Sequence, residues 1–146
     1  MARINTGKAI AGGILAGIIL SGFDFATNNF LLAEEWQNVA RLRNIDPALM
    51  GATSVLITTI VVDLVLGQLI VGTYAAIRPR FGPGGGTAAI AAFIVFLPQA
   101  LLLATFTGWF VPTPLYIRQG TVMLVSFIAA GLAGAWVYAE EDESAA

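Results

Sequence analysis

Four long stretches of this chain are almost without charge. Residues 9–32 hold one charged side chain, Asp24; residues 52–77 hold one, Asp63; residues 87–111 and 119–139 hold none. Each stretch has at least the roughly 20 residues that cross about 30 Å of hydrocarbon at about 1.5 Å per residue. A soluble helical bundle needs a charged stripe on every helix, and the third and fourth stretches are apolar or small on all sides. The short alternating segments and frequent turns of a membrane β-barrel are missing as well. The pattern therefore predicts an all-α chain, a transmembrane four-helix bundle with helices at about 9–32, 52–77, 87–111 and 119–139, forming one integral membrane domain over residues 1–146.

Residues at the segment ends fit that reading. Asn5 or Thr6 can cap the first helix, and Asp46 followed by Pro47 places an acceptor before a proline at the first helical position, where no amide hydrogen is needed. Thr113 and Pro114 repeat the arrangement, so the fourth helix is expected to begin near Pro114, ahead of its membrane-embedded part. The run Arg78, Pro79, Arg80, Phe81, Gly82, Pro83, Gly84, Gly85, Gly86 is expected to end the second helix and reverse the chain. Its glycines do not make a phosphate loop, because the Lys-[Ser/Thr] pair is absent and a helix rather than a strand precedes it. In the long connection at 33–51, Trp36, Val39 and Ala40 share one helical face while Glu34, Arg41 and Asn44 point elsewhere, which predicts a short interfacial helix between the first and second spans; the other reading is a plain connector packed over the bundle end. The N-terminal Arg3 and Lys8 before an apolar run resemble a signal peptide, but no small-x-small site closes the run, which is read as a retained first helix.

Composition agrees with a lipid solvent. Of 146 residues, 58% are hydrophobic and 11% charged, against about 25% charged in a typical soluble domain. The net charge of −2 and the scattered basic residues offer no track for a nucleic-acid backbone. Cysteine and histidine are both absent, which removes disulfides, thiol chemistry and histidine-based acid–base or haem chemistry. No catalytic residue, metal site or cofactor is expected, and the chain is read as non-enzymatic. Counting basic residues near span ends, Arg3, Lys8, Arg78 and Arg80 lie on one side and Arg41, Arg43 and Arg118 on the other, so four against three places both termini in the cytoplasm. Trp36, Trp109 and Tyr116 are expected as aromatic anchors at the outer interface and Trp136 at the inner one.

The residues costliest in lipid are the most informative. Counted from the expected cytoplasmic ends, Asp24 and Asp63 both lie roughly 21 to 23 Å deep, Gln99 about 18 Å and Ser126 about 20 Å, so four helices place polar groups in one layer. On helix one, Gly13, Gly17, Ser21, Asp24 and Asn28 recur every three or four residues, as do Thr59, Asp63, Gly67 and Tyr74 on helix two. These faces are expected to point inward. Gly13, Gly17, Gly67, Ala130 and Gly134 would let helix backbones approach closely. No Lys or Arg shares this depth, so at least one of the two aspartic acids is expected to hold its proton at neutral pH. A proton or monovalent cation site would comprise Asp24, Asp63 and Gln99, with Asn28, Thr59 and Ser126 as further oxygen ligands; the plainer reading is a set of interhelical hydrogen bonds that fix register.

Gly12-Gly13-Ile14-Leu15-Ala16-Gly17, the stretch at 29–36, and above all Tyr74-Ala75-Ala76-Ile77-Arg78-Pro79-Arg80-Phe81-Gly82-Pro83-Gly84 make the chain resemble small four-span bacterial inner-membrane proteins. The resemblance implies a multi-pass location in the bacterial inner (cytoplasmic) membrane and no particular activity; the acid at Asp63 stands apart from it. Related endings at Gly72-Thr73-Tyr74-Ala75 and Gly134-Ala135-Trp136-Val137-Tyr138-Ala139 raise the expectation of two parallel two-helix repeats, with chance likeness of apolar segments as the alternative. The expected role is an accessory or assembly subunit that packs laterally against another membrane protein or against itself as a homo-oligomer. The alternative is a small oligomeric proton- or cation-coupled transporter or channel built on Asp24 and Asp63.

Overall fold

A computed structural model describes residues 4–107 and 109–138; Arg3, Ala139 and the acidic stretch 140–143 lie outside the described residues. Among those described there are helices and no strands. Helix α1 (Thr6–Ala26) runs directly into a π-helical turn (Thr27–Leu31), followed by α2 (Ala33–Leu42), the single turn α3 (Pro47–Met50), and the long α4 (Thr53–Phe81), α5 (Gly85–Thr107) and α6 (Thr113–Val137). Four spans, Thr6–Leu31, Ala48–Phe81, Gly85–Thr105 and Thr113–Val137, are long and apolar enough to cross a bilayer, which marks the chain as a multi-pass membrane protein.

The helix starts follow local chemistry. The Asn5 side chain accepts from the Lys8 amide at 3.0 Å, and Asp46 accepts from the Ala48 amide at 2.9 Å. Thr113 does not cap α6: it is already helical, Pro112 occupies the cap position, and the Pro112 carbonyl accepts from Leu115 and Tyr116. The second span continues to Phe81, four residues beyond the expected end, with Pro79 inside its last turns. Proline tolerates this place because only one ladder bond is lost near the end, and the helix still closes through the Gly82 amide on the Arg78 carbonyl at 2.8 Å. Reversal then falls to Gly82 and Gly84, whose φ of 82° and 124° few other residues adopt. The turn is pinned by Thr87 Oγ1, which donates to the Gly82 carbonyl at 2.7 Å, and by the Tyr74 hydroxyl, which accepts from the Gly84 amide at 3.2 Å. α5 ends at Thr107 rather than Val111.

α1 packs on α4 and α6, α5 packs on both of these, and α4 also meets α6. What lies inside is small: Ala16, Ala75, Ala88, Ala91, Ala92 and Ala130 are buried, with Phe96 and Phe127 meeting edge to face at 5.7 Å. Much of what faces outward is large and apolar, including Ile14, Ile18, Val61, Val65, Leu69, Ile90, Phe93 and Leu101. This arrangement suits lipid, where helices associate through close backbone approach and an exposed leucine costs nothing. Gly12, Gly13, Gly17, Gly67, Gly131 and Gly134 are buried among the helices. A Cβ on Gly67 would collide with the Gly13 carbonyl and Gly17 amide, and one on Gly12 would lie 2.6 Å from the Gly134 carbonyl oxygen. Beside Gly13 lies the Gln68 amide, which donates to the Ile10 carbonyl at 3.0 Å. The first third of α4, at the α2 end, is different. Over residues 53–62 only Thr59 is even partly covered, and the others are exposed.

Candidate functional site

Ser21, Asp24 and Thr27 are spaced by threes along α1 and into the π turn, so they lie along one side of the helix. Asp63, 4% exposed, faces α1 from α4, and its Oδ2 accepts from the Ser21 hydroxyl at 2.9 Å. Asp24 lies three residues beyond Ser21 on α1. It lines a separate cavity of about 120 Å³ between α1, α5 and α6. The polar wall of that cavity is Asp24, Thr27, Gln99, Gln119 and Ser126; Phe23, Leu103, Val122 and Met123 complete it.

Three members of the expected layer, Asp24, Gln99 and Ser126, are thus brought together, each from a different helix. Asp63 is not on the cavity wall, and Ser21 stands between it and Asp24 along α1. Ser126 is 2% exposed and spends its hydroxyl hydrogen on the Met123 carbonyl of its own helix at 2.8 Å.

Asn28 departs from the expected inward face. It is exposed, and its amide folds back onto the Asp24 main-chain carbonyl at 2.9 Å. The reason is the π turn: the Leu32 amide reaches back five residues to the Thr27 carbonyl at 2.8 Å, and the wider turn breaks the 3.6-residue periodicity on which that face was counted. Thr27, 6% exposed, takes the inward position. Thr59 also falls outside the cavity wall, on the partly covered stretch of α4. Gln119 and Thr27 escaped the sequence reading. Both had a signal: Gln119 precedes Ser126 by seven residues and so repeats its face after two turns, and Thr27 follows Asp24 by three, as Asp24 follows Ser21.

The span ends differ from expectation at three places. Trp109 and Trp136 are 81% and 85% exposed, but Trp36 packs in a cluster with Leu32, Val39, Leu115 and Val111, its ring N–H buried. Tyr116, expected as an anchor, donates its hydroxyl to the Ala100 carbonyl at 3.3 Å and so joins α6 to α5. Arg78, counted as a flanking cation, is 6% exposed, with its guanidinium carbon 5.7 Å from the centre of the Tyr138 ring. In both Trp36 and Arg78 polar atoms are buried together with the apolar body, so neither reaches out to the interface as expected.

At the opposite end of the molecule α2 is held at both of its ends, by Glu35 in its first turn and by Arg43 at its C-cap. Arg118 pairs with Glu35 at 2.6 Å, and Arg43 donates to the carbonyls of Phe110 and Trp109 at 3.3 and 3.4 Å. Among the described residues no group of three or more acidic side chains could hold a metal ion. The chain matches no protein-family model, no curated protein and no solved structure.

Proposed function

We propose that this chain is a non-enzymatic bacterial inner-membrane protein, a four-helix bundle with both termini cytoplasmic, that acts as an accessory or assembly subunit by packing laterally on another membrane protein or on a second copy of itself. The observation that carries this reading is the exposed first third of α4. Every residue from 53 to 62 except Thr59 is exposed, about 15 Å of spanning helix that its own chain covers only in part. The exposed Asn28 and Asn29 amides lie at the same end of the molecule, and polar groups on a helix surface favour association in lipid.

A native chain without cysteine makes the test direct. Ile57→Cys and Val61→Cys, both on the exposed first third of α4, should capture a partner or a second copy by cross-linking in native membranes, while Ile90→Cys, exposed on α5, should not. Mild-detergent purification should recover the same species in fixed stoichiometry. Monomer alone from both α4 positions and from the purification would reject the reading.

A second reading is favoured by the cavity at Asp24: a proton- or monovalent-cation-responsive site, with Asp63 behind it. One carboxyl among amides and hydroxyls suits a proton or a monovalent ion better than a divalent metal, which takes several carboxylates. Replacing both acids, Asp24→Asn with Asp63→Asn, separates the two. A loss confined to assembly or stability supports the subunit; a proton or cation flux abolished in a folded protein supports the responsive site.

A further inference from the structure

The cavity at Asp24 has a direction. Its wall runs down α6 from Gln119 to Ser126, seven residues or about 10 Å. On α1 it runs from Thr27 to Asp24, and on α5 from Leu103 to Gln99, so in all three helices the first-named residue is nearer α2. Within a turn of the deepest wall residues the three helices carry buried apolar side chains: Leu20 on α1 and Phe127 on α6 are each 2% exposed, and Phe96 on α5 is 9% exposed and touches Phe127. The volume of about 120 Å³ has room for about four waters at roughly 30 Å³ each, and five polar side chains supply the two to four partners that each ordered water needs.

The other end lies toward α2. Leu115 stands one helical turn before Gln119 on α6, and Leu32 closes the π turn that contains Thr27. These two and Val39 form a buried apolar cluster with Trp36, so α2 packs beside the start of α6 one turn beyond the cavity wall. Its first turn is tied to α6 by Glu35 and Arg118, a pair whose Arg118 side chain is 61% exposed. An ion pair in water is a weak tie, easily opened.

We infer that the cavity is a water-filled vestibule reaching Asp24 from the α2 side of the membrane only, and that α2 is its movable cover, held shut by the Glu35–Arg118 pair. The vestibule gives the Asp24 carboxyl a route for protons to one bulk phase, while Leu20, Phe96 and Phe127 block the other. This deepens the responsive-site reading. Water access is measured whether or not Asp24 carries a proton, so failure of that reading alone leaves labelling intact in Asp24→Asn.

Single cysteines at Gln119, Gln99 and Ala92 test it in vesicles of either orientation, using a membrane-impermeant, positively charged methanethiosulfonate. Gln119→Cys and Gln99→Cys should react from the α2 side alone, and Ala92→Cys, fully buried, should not react from either. Adding Arg118→Ala should speed the reaction at Gln99→Cys roughly two- to fivefold, the factor that an exposed ion pair supplies. Reaction from both sides would overturn the one-sided vestibule, and an unchanged rate without Arg118 would overturn the latched cover. The unaltered chain provides a check that no misfolded variant can spoil. Radiolytic hydroxyl-radical footprinting in nanodiscs oxidises side chains beside bound water, so Met123 on the cavity wall should be labelled; an unlabelled Met123, with exposed Met50 labelled, means a dry cavity and ends the proposal.

Discussion

Single atoms decide how the helices meet. Gly67 has the Gly13 carbonyl and Gly17 amide where a methyl group would sit, whereas Gly72, five residues along the same helix, has open space. Alanine should therefore act in opposite directions at the two sites. Gly72→Ala gains helix propensity and should be neutral or stabilising by up to about 1 kcal/mol. Gly67→Ala must push α1 from α4 and should cost about 1 to 3 kcal/mol, read from denaturant or thermal unfolding in one detergent; equal effects would mean the crossing is looser than described. The small-residue spacing of Gly13, Gly17 and Gly67 was legible in the sequence, because a glycine repeated every four residues has few other uses in a spanning helix. The partner of Gly12 was not, since Gly134 is one of several small residues on α6 and nothing in either local sequence selects it. Gln68 was equally silent: its carbonyl partner, Ile10, belongs to the main chain of another helix.

Whole helices were easier to read than their ends. Four apolar stretches fixed four spans, but π geometry after Ala26, continuation of α4 through Pro79 and the single turn at Pro47–Met50 depend on contacts that a period cannot reveal. The consequence for the site was direct, because one widened turn moved Asn28 outward and Thr27 inward. α2 shows the same limit from the other side. Its amphipathic face was visible, but the face packs on α6 rather than on lipid headgroups, and its far end is held by Arg43 on two carbonyls beyond α5. Those carbonyls follow the end of a helix, where acceptors lack partners and a cation is favoured. Arg43→Ala should therefore loosen the connection at 109–112, raising amide exchange there severalfold, in keeping with about 0.5 to 1.5 kcal/mol for bonds of this kind. Arg41→Ala should leave exchange at 109–112 unchanged, because among the described residues Arg41 bonds to Asn38 and Gln37 of its own helix. Equal effects from both substitutions would assign the change to lost charge rather than to the lost bonds.

At the scale of the molecule, alanine and glycine line most of the helix contacts around a few larger side chains such as Leu20, Ile70, Val71 and Phe127, while the outside is rich in isoleucine, leucine, valine and phenylalanine. A water-soluble bundle could not hold together in that form, since burying large apolar surface is its main driving force; in a bilayer the same distribution needs only close backbone contact. The layer of polar residues follows from the same solvent: a group that lipid cannot solvate turns toward other helices. That is why its depth was legible while its division into a Ser21–Asp63 contact and an Asp24 cavity was not. An even number of spans also makes a claim about the whole chain. Four crossings return it to the side on which α1 begins, leaving α2, Trp109 and the start of α6 on the other. Reporter tags at the two termini should accordingly sit in the same compartment, and a cysteine at exposed Gln37 on α2 should react with an impermeant reagent only from the opposite one. Termini on opposite sides would mean an odd number of crossings. The candidate to fail is then α4, whose first third, residues 53–62, is exposed at every position but Thr59.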